Sequence, residues 1–120
     1  MNRRLAKVNS VLVEVISEAI RRDVKDPRIP ELITVMEVDV SADLKHATVS
    51  ISVIGERKFK EKTIELFNEL RFKIAFCARE KVVLRYFPQL HFVLDESVDK
   101  QMRIEELLRE IEIKSPNDPK

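Results

Sequence analysis

A single α+β domain, with a three-stranded mixed sheet covered on one face by helices, is predicted by three features of the chain. Two neighbouring segments, "LITVMEVDV" at 32–40 and "ATVSISVI" at 47–54, are rich in β-branched residues. Helical periodicity flanks this pair, over residues 3 to about 22 and again from 61 to about 86. A third alternating segment, "QLHFVLDE" at 89–96, then follows the second helical stretch.

The first helix rests on Leu5, Val8, Leu12, Val15, Ile16 and Ala19, which recur at helical spacing, while Arg3, Arg4, Lys7, Glu14, Glu18 and Arg22 lie largely off that stripe. It must end before "DPRIP", because Pro27 and Pro30 lack amide donors and push Asp26 and Ile29 out of the helical region. The second strand sets Ala47, Val49, Ile51 and Val53 against Thr48, Ser50 and Ser52, which buries one face only. A polar connection, "SADLKH", makes the first two strands an antiparallel hairpin with a longer loop, and Gly55 closes the second strand.

After a basic loop, "GERKFKEK", the long helix places Ile64, Phe67, Leu70 or Arg71, Ile74, Cys77 or Ala78, and Val82 on one stripe. A helical crossover between the second and third strands makes that pair parallel and puts the helices on one face, leaving the other open. "RIEELLREI", 103–111, has the pattern of one more short helix. The expected domain spans 1–112, and 113–120 reads as a frayed tail.

Composition narrows the function. A chain of 120 residues with 44% apolar residues can bury one two-layer core, not two. Basic and acidic side chains, 22 against 21, nearly cancel, so binding to nucleic acid requires segregation of charge along the chain. One cysteine forms no internal disulfide, and His46 and His91 stand too far apart for zinc-ligand spacing, so no metal or cofactor is expected. The opening residues are basic and then apolar, but Asn9, Ser10, Glu14, Ser17 and Glu18 interrupt the run, so neither a signal peptide nor a membrane span fits and a cytoplasmic protein is expected.

No catalytic constellation emerges. Cys77 sits in mid-helix on or beside the apolar stripe, without a nearby histidine in sequence, and reads as a small packed residue. Glu37 with Asp39, and Asp95 with Glu96, have no accompanying motif for metal or acid–base work. A single glycine makes no phosphate loop.

Charge is nevertheless segregated. Residues 71–85 carry Arg71, Lys73, Arg79, Lys81 and Arg85 against Glu80 alone, whereas 95–112 carry seven acids against Lys100, Arg103 and Arg109. Several of the basic residues can share one helical edge, which suits a phosphate backbone, and Arg3, Arg4 and Lys7 add to it. A protein-binding adaptor that uses the open sheet face, without RNA, is the alternative reading.

"VKDPRIPELITVMEVDVSADLKHATVSISVIG", followed later by "LRYFPQLHFVLDES", resembles the ribosome-binding factor A family over residues 3 to about 110. Asp26, Pro27 and Arg28, the hairpin with its closing Gly55, and Leu84, Arg85, Tyr86 and Pro88 leading into a strand that ends Asp95, Glu96, Ser97 carry the resemblance. It implies a type II KH-like fold, α-β-β-α-kink-α-β, and a non-enzymatic, monomeric factor. Such a factor binds the free 30S subunit and assists its late maturation and the processing of the 16S rRNA precursor near the 5′-terminal helix. It also implies a kink between two helices in place of a Gly-x-x-Gly loop. Arg79 stands nine before Pro88, where many members carry a small residue, so the kink is expected within Ala75 to Arg79, at Ala75, Ala78 or Arg79.

Overall fold

The computed structural model describes residues 3–97. Helix α1 spans Arg3–Glu18 and continues as a wider π-helical turn, Ala19–Asp23, closed by the Val24 amide donating to the Ala19 carbonyl at 2.8 Å. Ala19, Ile20 and Val24 are all buried at this wider turn. Strands β1 (Ile33–Val40) and β2 (His46–Val53) follow, then helices α2 (Arg57–Glu69) and α3 (Arg71–Arg79), and strand β3 (Gln89–Leu94). The helix expected at 103–111, the tail at 113–120 and the boundary at 112 lie outside the described residues.

The sheet order is β1-β2-β3, antiparallel in the first pair and parallel in the second, as the crossover requires. Ile33 pairs with Val53 and Val40 with Ala47, but the register shifts between Val35 and Glu37, leaving Met36 as an extra residue. That bulge turns Val35, Val38 and Val40 all inward despite their uneven spacing. With Ala47, Val49, Ile51, Val53, Leu90 and Phe92 they form the sheet side of the core. Leu12, Val15, Ile16 and Ala19 of α1, Phe67 of α2, and Ile74 and Ala78 of α3 form the helical side. The opposite face presents Thr34, Glu37, Asp39, His46, Thr48, Gln89 and His91 to solvent. This is the type II KH-like arrangement, helices on one face of a three-stranded mixed sheet.

Two side chains that interrupt the apolar pattern hold the layers in place. Asn9 of α1 accepts the Val40 amide at 3.0 Å, tying the helix to the end of β1. Asn68, at the end of α2, accepts the Phe92 amide at 2.8 Å and donates to the Phe92 carbonyl at 2.9 Å. One amide side chain thus completes the ladder where Phe92 turns its backbone groups away from β2. Asn68→Ala is expected to cost about 1–3 kcal/mol, since it orphans two half-buried backbone groups. Urea unfolding checks this, and an unchanged midpoint would show that the pairing contributes nothing.

The long helix differs from its expected form at three places. It begins at Arg57 rather than 61, because the basic segment forms an exposed helical turn in which Arg57 pairs with Glu61 at 3.3 Å and with Glu96 at 2.9 Å. It breaks at Leu70 (φ −88°, ψ 4°), not within Ala75 to Arg79. Neither glycine nor proline stands there. The direction changes because α2 leans on β3, held by Asn68, while α3 packs against α1 and the π-helical turn. Ala75 and Ala78 lie inside α3, half-buried and buried, and Arg79 is its last residue, so the small side chains allow close packing rather than a bend. The helix ends at Arg79 instead of about 86, and half-buried Val82, Leu84 and Phe87 pack on the core from the connection to β3.

The Asp26-Pro27-Arg28 segment is a closed turn. The Asp26 carboxylate accepts the Arg28 backbone amide at 2.9 Å and its guanidinium at 2.8 and 3.0 Å, and Arg28 also reaches Glu69 at 3.6 Å. These bonds, chiefly that of the Arg28 side chain, push the Asp26 carboxyl down from 3.8 to about 2. A depressed carboxyl contributes stability that is present in full above pH 3.8 and lost as pH falls toward about 2. The gap in melting temperature between the native chain and Asp26→Asn is therefore expected to hold above that window and to close within it. A gap independent of pH would contradict the assignment.

Candidate nucleic-acid interface

The outer side of α3 and the start of β3 enclose a groove of about 570 Å³, lined by Arg71, Phe72, Ala75, Phe76 and Arg79 from the helix, by Phe87 to His91 from the strand and its approach, and by His46 of β2. The helix presents these residues because Ile74 and Ala78 fix its buried side, which leaves Phe72 and Phe76 71% and 55% exposed. No carboxylate lines the groove. Its field is therefore cationic and its walls are aromatic.

Each arginine of this region lies over a ring. The guanidinium carbon of Arg71 is 5.0 Å from the centre of Phe72, that of Arg79 is 5.5 Å from Phe76, and that of Arg85 is 5.5 Å from Tyr86. Such stacking restrains a long side chain without consuming its charge. Tyr86, 74% exposed, extends the aromatic surface along the connection between α3 and β3.

The expected basic residues separate into groups. Arg71 and Arg79 meet in the groove, and Arg85 lies beside it on Tyr86. Lys73 is exposed on α3, where its charge reaches Asp26. Lys81 turns away to α1, where it pairs with Asp23 at 2.9 Å and Glu18 at 3.4 Å, and these partners raise its pKa above the ordinary lysine value. It joins helices rather than facing the groove. Arg4 and Lys7 are exposed on the first turns of α1 and do not line the groove, and Arg3 opens that helix. Arg57 is tied to Glu61 and Glu96.

Phe72, Phe76, Tyr86 and the two histidines were not among the residues that charge pattern singled out. The available signal was positional: with Ile64, Phe67, Ile74 and Ala78 on the buried stripe, Phe72 and Phe76 fall off it. Cys77 packs half-buried against the core. Among the described residues no group of histidine, cysteine and acidic side chains could hold a metal ion, and no helix is long and apolar enough to cross a membrane.

Comparison with known proteins agrees with this architecture. A ribosome-binding factor A from Protochlamydia amoebophila is 56% identical over 108 residues, which cover 90% of this chain and 82% of that one. A solution structure from Thermotoga maritima assigned to ribosome binding factor A superposes with a TM-score of 0.71 at 25% identity, over 81% of this chain and 93% of the other. A homology model of Thermus thermophilus ribosome binding factor A, fitted into the map of a 30S complex with that factor, gives a TM-score of 0.60 at 23% identity, over 73% of this chain and 91% of that one, a likeness of fold. The profile of the family described as ribosome-binding factor A matches residues 4–108, and the chain belongs to that family.

Proposed function

We propose that this protein is a non-enzymatic assembly factor of the cytoplasm that binds the free 30S subunit as a monomer and assists its late maturation. In this reading it holds a conformation of 16S rRNA and of its precursor near the 5′-terminal helix, and so favours processing. The observation that carries the reading is the groove of α3 and β3, where Arg71 and Arg79 face solvent with no carboxylate beside them. Phosphates would occupy such a surface, positioning the protein without reading sequence.

Family membership supports the same reading, and a relative of similar fold has been fitted into a 30S complex. The open sheet face is polar, with Thr34, Glu37, Asp39, Thr48 and His91 exposed, and offers little to an apolar protein partner. Release needs no chemistry: a factor that prefers the immature rRNA conformation leaves when maturation removes it, by differential affinity alone.

Sedimentation through a gradient that resolves 30S, 50S and 70S particles tests this. The protein is expected with free 30S subunits, and migration with 70S particles alone would overturn the reading.

A further inference from the structure

We propose that the acidic segment of residues 103–111 docks on an apolar patch of Leu32, Ile54 and Phe59, at the end of the sheet opposite the groove, with its carboxylates against the basic start of α2. Docked there, the segment masks Lys58 and Lys62 and leaves the cations of the groove open to a polyanion. This concerns a different face of the molecule from the 30S reading and stands or falls apart from it.

The hairpin and the turn that leaves it build the patch. Ile33 with Val53 is the last register pair, and both pack toward the core. Leu32 and Ile54 come next on the two strands, so alternation aims them away from the core, and they are 66% and 67% exposed. Phe59, 44% exposed, stands beside them: its ring lies so close over Gly55, at φ +147°, that a side chain there would meet it at 2.7 Å. None of the three belongs to the core. Single exposed apolar residues are ordinary, but three together at one end of a sheet make a surface that a partner covers.

The path of the chain beyond β3 names the occupant. Strand β3 runs parallel to β2, with Leu94 beside Ile51 and the Asp95 amide donating to the Ile51 carbonyl at 2.8 Å, so the chain leaves the sheet at the same end as Ile54. Glu96 pairs at 2.9 Å with Arg57, two residues before Phe59, and Asp95 accepts the Ser97 amide at 2.8 Å, as a helix cap does. Residues 98–102 reach up to about 17 Å when extended, whereas two strand spacings, from β3 to β1, come to about 10 Å. Over 103–111, Ile104, Leu107, Leu108 and Ile111 recur at helical spacing, and Glu105, Glu106 and Glu110 fall between them. Lys58 and Lys62, exposed one turn apart on α2, offer those carboxylates a positive edge beside Phe59. A nucleic acid would pair with the lysines and leave Leu32 and Ile54 bare, whereas an amphipathic acidic segment meets both.

The test uses the full chain, methyl-labelled at isoleucine and leucine, in solution NMR. Through-space contacts are expected between the methyls of Leu32 or Ile54 and those of Leu107 or Leu108, at every protein concentration. Leu107→Ser with Leu108→Ser should erase them and move the Ile54 methyl signal, while the signals of the fully buried Ile16 and Ile74 stay in place and certify the fold. Lys58→Glu with Lys62→Glu should move the Ile54 signal toward its position in the serine variant. That serine variant should also bind a blunt DNA duplex with a slope of log affinity against log salt steeper by about 1.8, from the two lysines it uncovers. Absence of the contacts in the native chain, or an Ile54 signal that the serine variant leaves unmoved, overturns the proposal. Contacts found only between differently labelled copies make a second copy the occupant and overturn it as well. So does a native chain without the contacts whose Ile54 signal moves only on addition of 30S subunits, which assigns the patch to the ribosome. An unchanged salt slope in the serine variant overturns the masking of Lys58 and Lys62. Sedimentation with 30S subunits reads the other proposal, and none of these outcomes decides it.

Discussion

Phe67→Ala is expected to destabilise the domain by about 3–5 kcal/mol, the cost of emptying a fully buried aromatic site. The ring has no solvent exposure and packs on Phe92, with centroids 5.5 Å apart and planes tilted by 30°. The pair joins α2 to the edge strand, and the Asn68 bonds to the Phe92 backbone lie one residue away on the helix. Loss of the ring therefore removes dispersion contacts and loosens the strand edge that Asn68 of α2 covers by two hydrogen bonds. Domains of this size have about 5–15 kcal/mol in total, so the variant should unfold at a much lower urea concentration. Phe67→Leu, which keeps most of the volume, should recover more than half of the loss. A loss below about 1 kcal/mol for the alanine variant would mean that α2 is not packed as described.

Most of the fold was legible because one physical signal dominated each element. Strand β2 alternates without interruption, and its buried residues are the four that alternation marks, Ala47, Val49, Ile51 and Val53. Helix α1 was legible for the same reason, up to the π-helical turn at Ala19–Asp23, which no residue type announces. Strand β1 carries a mixed message, since the bulge at Met36 shifts which residues face inward. A bulge is a property of the pair, not of either strand. The helix break at Leu70 was equally hidden: no residue there is a breaker, and the bend arises because Asn68 anchors α2 to β3 while α3 must meet α1.

The site was legible in its charges but not in their partners. Lys81 and Arg85 look alike in sequence, yet Lys81 is held by Glu18 and Asp23 from segments about sixty residues away, and Arg85 rests on Tyr86. Arg57 and Arg28 are likewise tied to Glu96 and Glu69, which composition alone counts as unrelated acids. What remains facing the groove is set by these long-range pairings as much as by the number of basic residues. The aromatic component is hidden because helical periodicity marks the buried stripe, and Phe72 and Phe76 lie off it.

The second large effect follows from that sorting of charges. Arg71→Glu combined with Arg79→Glu is expected to weaken binding to 30S subunits by about a hundredfold or more, as two charge-assisted contacts worth about 1.5 kcal/mol or more each are lost and repulsion is added. The slope of log affinity against log salt should shrink by about 1.4, the counterions of two phosphate contacts on single-stranded RNA. Stability should change little, because both side chains are exposed and each lies over the ring of a neighbour on the same helix. Lys81→Gln is the internal control: it removes a positive charge from the same stretch of sequence but breaks pairs with Asp23 and Glu18. It should leave binding and its salt dependence unchanged while loosening the contact between α1 and the end of α3. Equal losses from Lys81→Gln and from Arg79→Glu alone would move the RNA-facing surface to the α1 side and sink the groove as the interface. A loss confined to Arg71 and Arg79 would instead show that the two arginines lining the groove, where no carboxylate stands, set where this near-neutral protein meets a polyanion.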